Sequence, residues 1–180
     1  MKNILLFCCG IVFFLNSCVS AKGELKEEIE ALMNAEIALP TDLEPTLMGK
    51  KIPNMDLMNT PLKLVVWYDS TGCSPCRIQQ MYKWYEIIDY AKESEQKFRV
   101  IFIFTPRQGE DIAKSLISFN YPVYIDKKTD FIINNHRLPQ KETFKTFLLD
   151  QNNKIVMVGN PIGNEKLWEL YKERINILSN

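Results

Sequence analysis

The sequence predicts an α/β domain: a central mixed sheet flanked by helices, with an N-terminal helical extension. Three observations carry this expectation. Two apolar, β-rich runs of strand length, Lys63–Tyr68 and Phe98–Phe104, are each followed by a stretch with helical spacing, an alternation that implies parallel pairing through right-handed crossovers. Further on, Thr146–Leu149 and Lys154–Val158 flank Asp150-Gln151-Asn152-Asn153, whose composition suits a hairpin turn. The chain then closes on Glu165–Leu178, which presents Leu167, Leu170, Tyr171 and Ile175 at helical spacing.

The elements follow in order. Lys2 gives a short positive start, Ile4 to Leu15 an apolar run, and Leu15-Asn16-Ser17-Cys18 an ending of small residues and a cysteine. The run is too short to span a bilayer, which takes about 20 residues. The ending resembles the lipobox of bacterial lipoproteins, in which residues 1–17 are removed as a signal peptide and the cysteine, here Cys18, carries the lipid. A plain secretory signal with an incidental cysteine is the alternative, and either one takes the protein out of the cytosol. Residues 18–47 read as an anchor linker and a charged helix, Lys22–Ala38, whose apolar positions are Leu25, Ile29, Leu32 and Ile37. This helix is expected outside the core and is followed by a loop containing Pro40, Pro45 and Pro53.

The main domain is drawn over 48–180. Lys63–Tyr68 reads as a strand buried on both faces. Ile78, Met81, Tyr82, Tyr85 and Ile88, with Trp84, Ile87 and Ala91 as a second stripe, predict one helix from Pro75 to about Glu95. After Phe98–Phe104, stopped by Thr105-Pro106, come a shorter helix over Glu110–Phe119, a short strand Tyr121–Ile125 and a brief helix Asp130–Asn135.

With 180 residues, 46% hydrophobic and 24% charged, the chain has the size of one ordinary domain. Lysine plus arginine equals aspartate plus glutamate at 22 each. No net field draws nucleic acid, and that class of function is set aside.

Function is expected where the first strand meets its helix, at Gly72-Cys73-Ser74-Pro75-Cys76-Arg77. Two thiols three apart at a helix start face one another across the first turn, with free backbone N–H groups aimed at the first sulfur. Such settings lower a thiol pKa from about 8.5 by roughly one to several units and give a nucleophile at neutral pH. The partner thiol can close or open a disulfide. Pro75 suits the first helical turn because its fixed φ is helical and its missing N–H has no partner there anyway. Cys8 and Cys9 lie in the segment to be removed and Cys18 goes to the lipid, so Cys73 and Cys76 carry the remaining thiol chemistry. Two thiols so close make a poor framework staple, since a short loop gains little closure entropy.

A strand-helix-strand unit with Cys-x-x-Cys at its first helix start, followed by a hairpin and a last helix, resembles the thioredoxin fold. It looks most like extracytoplasmic thiol-disulfide oxidoreductases of the TlpA/ResA type, over roughly Gly49 to Ile177. The Cys-Ser-Pro-Cys segment carries the resemblance together with Thr146–Asp150, Lys154-Ile155-Val156 and Tyr121–Asp126. It implies that Cys73 is the exposed attacking thiol, that Cys76 is the buried resolving one, and that the pair forms a redox disulfide. It places Gly72, Ser74, Pro75, Asp69, Thr143 and Phe144 around that pair. The implied partners are protein thiols or disulfides in the bacterial cell envelope and a redox donor or acceptor, with the membrane reached through Cys18 and with no cofactor or metal.

Three positions depart from the family pattern. Gly72 stands where tryptophan usually precedes the first cysteine. Trp67 stands where many thioredoxins keep a buried proton-accepting carboxylate, with Asp69 and Glu86 as nearby candidates for that role. Phe144 stands at the cis-proline position, so Thr143–Phe144 is expected to be trans, because a cis bond before a non-proline costs about 2.5 to 4 kcal/mol. Pro139, five residues earlier, is the nearest alternative proline. Two other classes of function stay open: a metal-binding lipoprotein using the two cysteines with His136 or a methionine, and a non-catalytic interaction domain on the same scaffold.

Overall fold

The computed structural model describes residues 23–43, 45–53, 57–95, 97–138 and 141–179. The expected signal segment with Cys18, and Pro139, lie outside the described residues. The chain runs from a helix α1 (residues 23–32) through β1 (Pro45–Leu47), β2 (Lys50–Lys51) and β3 (Leu62–Tyr68) into α2 (Ser74–Gln79) and α3 (Tyr85–Glu93). It continues with β4 (Phe98–Phe104), β5 (Val123–Ile125), α4 (Asp130–Asn134), β6 (Thr146–Leu149), β7 (Ile155–Val158) and α5 (Glu165–Ser179). The seven strands form one mixed sheet in the order β2-β1-β5-β4-β3-β6-β7. β3, β4 and β5 are parallel, as the crossovers require, and β6, β7, β1 and β2 pair antiparallel.

Both faces of the sheet are covered, which is why β3 and β4 read as continuous apolar runs. Leu62, Leu64 and Val66 of β3 and Phe98, Val100 and Phe102 of β4 pack on α3 and on Trp168, Tyr171 and Ile175 of α5. The alternate residues Val65, Trp67, Ile101 and Ile103 pack on Phe131, Leu138 and Phe144 together with Leu32 and Ile37. Lys63, inside the strand, is 2% exposed and its ammonium donates to the Thr60 carbonyl at 2.7 Å. Burial lowers its pKa, while the Asp150 charge acts against that shift.

Four local expectations are corrected. The N-terminal segment is not outside the core: Leu32 and Ile37 are buried in it. Residues 34–37 also pair with the start of β7, through Asn34 N–H to the Ile155 carbonyl at 2.8 Å and Ile155 N–H to the Ala35 carbonyl at 2.9 Å, which covers that end of an edge strand. The proline loop contains a hairpin, because Leu47 pairs with Lys50 across Met48 and Gly49, both at positive φ, the geometry of a two-residue turn.

The long helix expected over 75–95 is broken. Met81–Trp84 is a 3-10 turn between α2 and α3. Ile78, Met81, Trp84 and Ile87 are buried at a strict spacing of three, which a 3-10 turn keeps in line and an α-helix would let drift. The helix expected over Glu110–Phe119 shrinks to a 3-10 turn at Ser115–Ser118. There Asp111 Oδ1 accepts the Ala113 N–H at 3.1 Å, a local bond that competes with helix formation.

Candidate active site

β3 delivers the chain to the C-terminal edge of the sheet at Tyr68, and residues 69–72 turn it back into α2. The turn is built on Asp69, whose carboxylate accepts the Thr71 hydroxyl at 2.8 and 3.0 Å and the Thr71 N–H at 3.3 Å. Arg107, in the loop after β4, holds the same turn from outside by donating to the carbonyls of Ser70 and Gly72, each at 3.2 Å. Cys73 is the N-cap of α2 in an extended conformation, and Pro75 occupies the first turn as expected. Cys73 and Cys76 are joined in a disulfide with Cα atoms 5.3 Å apart. The Cys76 N–H is directed at Cys73 Sγ, 3.3 Å away.

Cys76 is exposed, as Cys73 is, and not buried as the resemblance implies. The buried residue of the motif is Ser74, 2% exposed, whose hydroxyl donates to Glu110 Oε2 at 3.0 Å. Glu110 is fixed in turn by the Arg107 N–H at 3.0 Å. Successive helical side chains are about 100° apart, so a side chain two residues past an inward Ser74 points outward, and that side chain is Cys76.

Behind the disulfide lies a cluster of four charges. Arg77 donates to the Asp69 carbonyl at 2.8 Å, to Asp69 Oδ1 at 3.1 Å and to Glu142 Oε1. Lys145, 3% exposed, donates to Asp69 Oδ2 at 2.6 Å and to Glu142 Oε1 at 3.0 Å. Each cation also lies over a ring of β3, Arg77 over Tyr68 and Lys145 over Trp67, both 5.6 Å from the centroid. Burial alone would raise the Asp69 pKa, but the bonds from Lys145, Thr71 and Arg77 outweigh it and hold the carboxyl below its ordinary value. Asp69 thus anchors the turn and the two cations beside it. Glu86 is exposed on α3.

The remaining expected neighbours are placed differently from one another. Gly72 packs directly against the Arg77 side chain. Thr143 is exposed, and Phe144 is buried in the core beneath the sheet, in a 3-10 turn that spans Glu142–Phe144. The described residues contain no cis peptide bond, so Thr143–Phe144 is trans. This turn reaches the site through Glu142 and Lys145 instead of through residue 144. His136 is exposed and lines a groove with Glu28 and residues 31–37 at α1, away from the cysteines. Among the described residues no three His, Cys, Asp or Glu side chains are grouped as metal ligands. Trp67 is buried, while Tyr68 is half-buried, its hydroxyl accepting the Trp84 indole N–H at 3.2 Å and its pKa pushed up by burial to about 12. Arg77, Arg107, Glu110, Glu142 and Lys145 were not singled out from the sequence. The one local signal was the pairing of a glycine before the first cysteine with an arginine after the second.

No protein-family model matches the chain, and no curated protein sequence matches it. Solved structures do. A thiol:disulfide interchange protein assigned as DsbE, from Chlorobium tepidum, aligns with a TM-score of 0.53 and 18% identity over 80% of this chain and 99% of that one. The thioredoxin domain of a thiol-disulfide oxidoreductase from Bacteroides vulgatus aligns with a TM-score of 0.51 and 17% identity, covering 79% and 97%. Peroxiredoxin Q from Xanthomonas campestris aligns with a TM-score of 0.54 and 11% identity, covering 82% and 99%. The chain has the thioredoxin-like fold.

Proposed function

We propose that the protein is an extracytoplasmic thiol-disulfide oxidoreductase that exchanges disulfides with envelope proteins through Cys73 and Cys76, anchored by lipid on Cys18. The observation that carries the reading is the disulfide between two exposed cysteines at the β3–α2 junction, with the Cys76 N–H directed at Cys73 Sγ. A hydrogen bond to the charged form lowers a pKa, so in the reduced protein Cys73 is the thiol that ionises more readily.

In the exchange, Cys73 Sγ attacks one sulfur of a substrate disulfide. The substrate S–S bond breaks, and its electron pair leaves on the other substrate sulfur, which takes a proton. Cys76 thiolate then attacks Cys73 Sγ, expelling the second substrate thiol and closing the Cys73–Cys76 disulfide. Run in reverse, the same steps oxidise a substrate. The extracytoplasmic setting rests on the leader pattern of residues 1–18, and the substrate class rests on the chemistry of the dithiol. A metal-binding alternative finds less support, since His136 stands apart from the cysteines.

The test is a redox titration of the purified protein in mixtures of reduced and oxidised dithiothreitol, with acid quenching and alkylation. One reversible transition that consumes Cys73 and Cys76 together is expected, along with reduction of insulin that disappears in Cys73→Ser. A Cys73–Cys76 pair that cannot be cycled overturns the reading.

A further inference from the structure

In the reading above, which this inference deepens, both half-reactions pass through Cys73. The geometry points to a division of labour instead: the oxidised protein is opened by a reductant thiol at Cys76 Sγ, while substrate disulfides are attacked by Cys73 Sγ. Three observations carry it. Cys76 is exposed, so an incoming thiolate can reach it. Ser74 is the inward residue, tied to Glu110 at 3.0 Å, which fixes the helix with Cys76 turned outward. The Cys76 N–H donates to Cys73 Sγ at 3.3 Å, so Cys73 is the sulfur whose negative charge is stabilised. In disulfide exchange the lower-pKa thiol is the better leaving group, and attack falls on the other sulfur when both are accessible.

The steps balance. The thiolate of a reductant dithiol bonds to Cys76 Sγ, and the Cys73–Cys76 bond breaks with its electron pair on Cys73 Sγ, held there by the Cys76 N–H. The second thiol of the reductant, as its thiolate, attacks its partner sulfur in the mixed disulfide. That releases Cys76 as a thiolate, which takes up the proton lost by the attacking thiol. The reductant leaves oxidised, by two electrons, and the protein is reduced by two. Cys73 is left as a thiolate ready to attack a substrate, so the protein carries two points of contact for two kinds of partner.

The test uses glutathione, a monothiol that cannot resolve its own adduct intramolecularly. The oxidised protein is exposed to it briefly, quenched in acid and digested with trypsin. Cleavage after Lys63 and Arg77 gives the peptide Leu64–Arg77, which contains both cysteines, and fragment ions assign the adduct to one of them. At the earliest times the adduct is expected on Cys76 by about threefold or more over Cys73. An adduct confined to Cys73 overturns the inference and leaves the exchange activity standing. A disulfide that glutathione does not open at any concentration, although dithiothreitol cycles it, overturns the inference alone; the exchange activity falls only if dithiothreitol cannot cycle the pair either.

A second measurement uses Cys73→Ser and pulse alkylation read on the same peptide. Cys76 in the folded variant is expected to react within about tenfold of its unfolded rate, as an accessible thiol does. Protection of more than about a hundredfold means a buried thiol and overturns the inference.

Discussion

Gly72 and Arg77 occupy one another's space: a β-carbon on residue 72 would lie 2.4 Å from Arg77 Cζ and 2.5 Å from Nη2. The guanidinium therefore fills the ground beside the first cysteine that an aromatic side chain at position 72 would otherwise cover. Because it is the end of a flexible side chain, it can be pushed aside, but only by giving up its bonds to Asp69 and Glu142.

Gly72→Ala is accordingly expected to destabilise the protein by about 1 to 2 kcal/mol, through the lost Arg77 contacts and not through backbone strain. In an Arg77→Ala background the same change should cost close to nothing. Urea unfolding of the two single variants and the double variant measures the coupling, expected at about 1 to 2 kcal/mol. Additive costs would show that the two residues do not compete for one volume.

Lys145 bears on stability more than on chemistry. It is 3% exposed and bridges two carboxylates, and removing it leaves the buried Asp69 with Arg77 as its one cationic partner among the described residues. Lys145→Met is expected to cost about 3 kcal/mol. Combining it with Asp69→Asn should cost less than the sum of the two, since each single variant already loses the same Lys145–Asp69 bond. Equilibrium unfolding of the three variants decides this.

The pH dependence follows from Asp69. Its folded pKa lies below the ordinary value, so the folded state favours the ionised form. The associated stability is present above the unfolded value of about 3.9 and is lost as the pH falls through the folded pKa. Asp69→Asn is expected to be less stable than wild type near neutrality, and the gap should narrow steadily in acid below pH about 4. A gap that widens on acidification would contradict the sign.

Away from the site, Tyr171 is fully buried on α5 and its hydroxyl donates to the Gly159 carbonyl at 2.7 Å. Burial raises its pKa well above that of a free phenol. Tyr171→Phe strands a buried carbonyl, and a loss of about 1 kcal/mol is expected, with the rate of insulin reduction unchanged. Thermal melting and the insulin assay together separate global stability from site chemistry.

Legibility in the sequence followed the range of each interaction. β3 and β4 could be read because their apolar runs record burial on both faces, and the β6–β7 turn because Asp150 supplies its own acceptor to Asn152 and Lys154. The break in the long helix was present as the three-residue spacing of Ile78, Met81, Trp84 and Ile87, yet that spacing also fits an α-helix over any short window. β1 is three residues long and is made a strand by β5, more than seventy positions away, so its own composition says little. Around the disulfide, Asp69 and Lys145 meet across 76 positions, and Ser74 and Glu110 across 36. A lysine beside a phenylalanine carries no local mark of such a partner.

By itself the sequence determined the class of fold and the pairing of two thiols at the head of a helix, because hydrophobic period and Cys-x-x-Cys spacing act between near neighbours. Only the tertiary structure decided that Ser74 faces inward and Cys76 outward, that the Arg77 side chain lies over Gly72, and that Asp69 is held as an anion by its neighbours. Those outcomes depend on which distant side chains arrive at the sheet edge with room and charge to meet them.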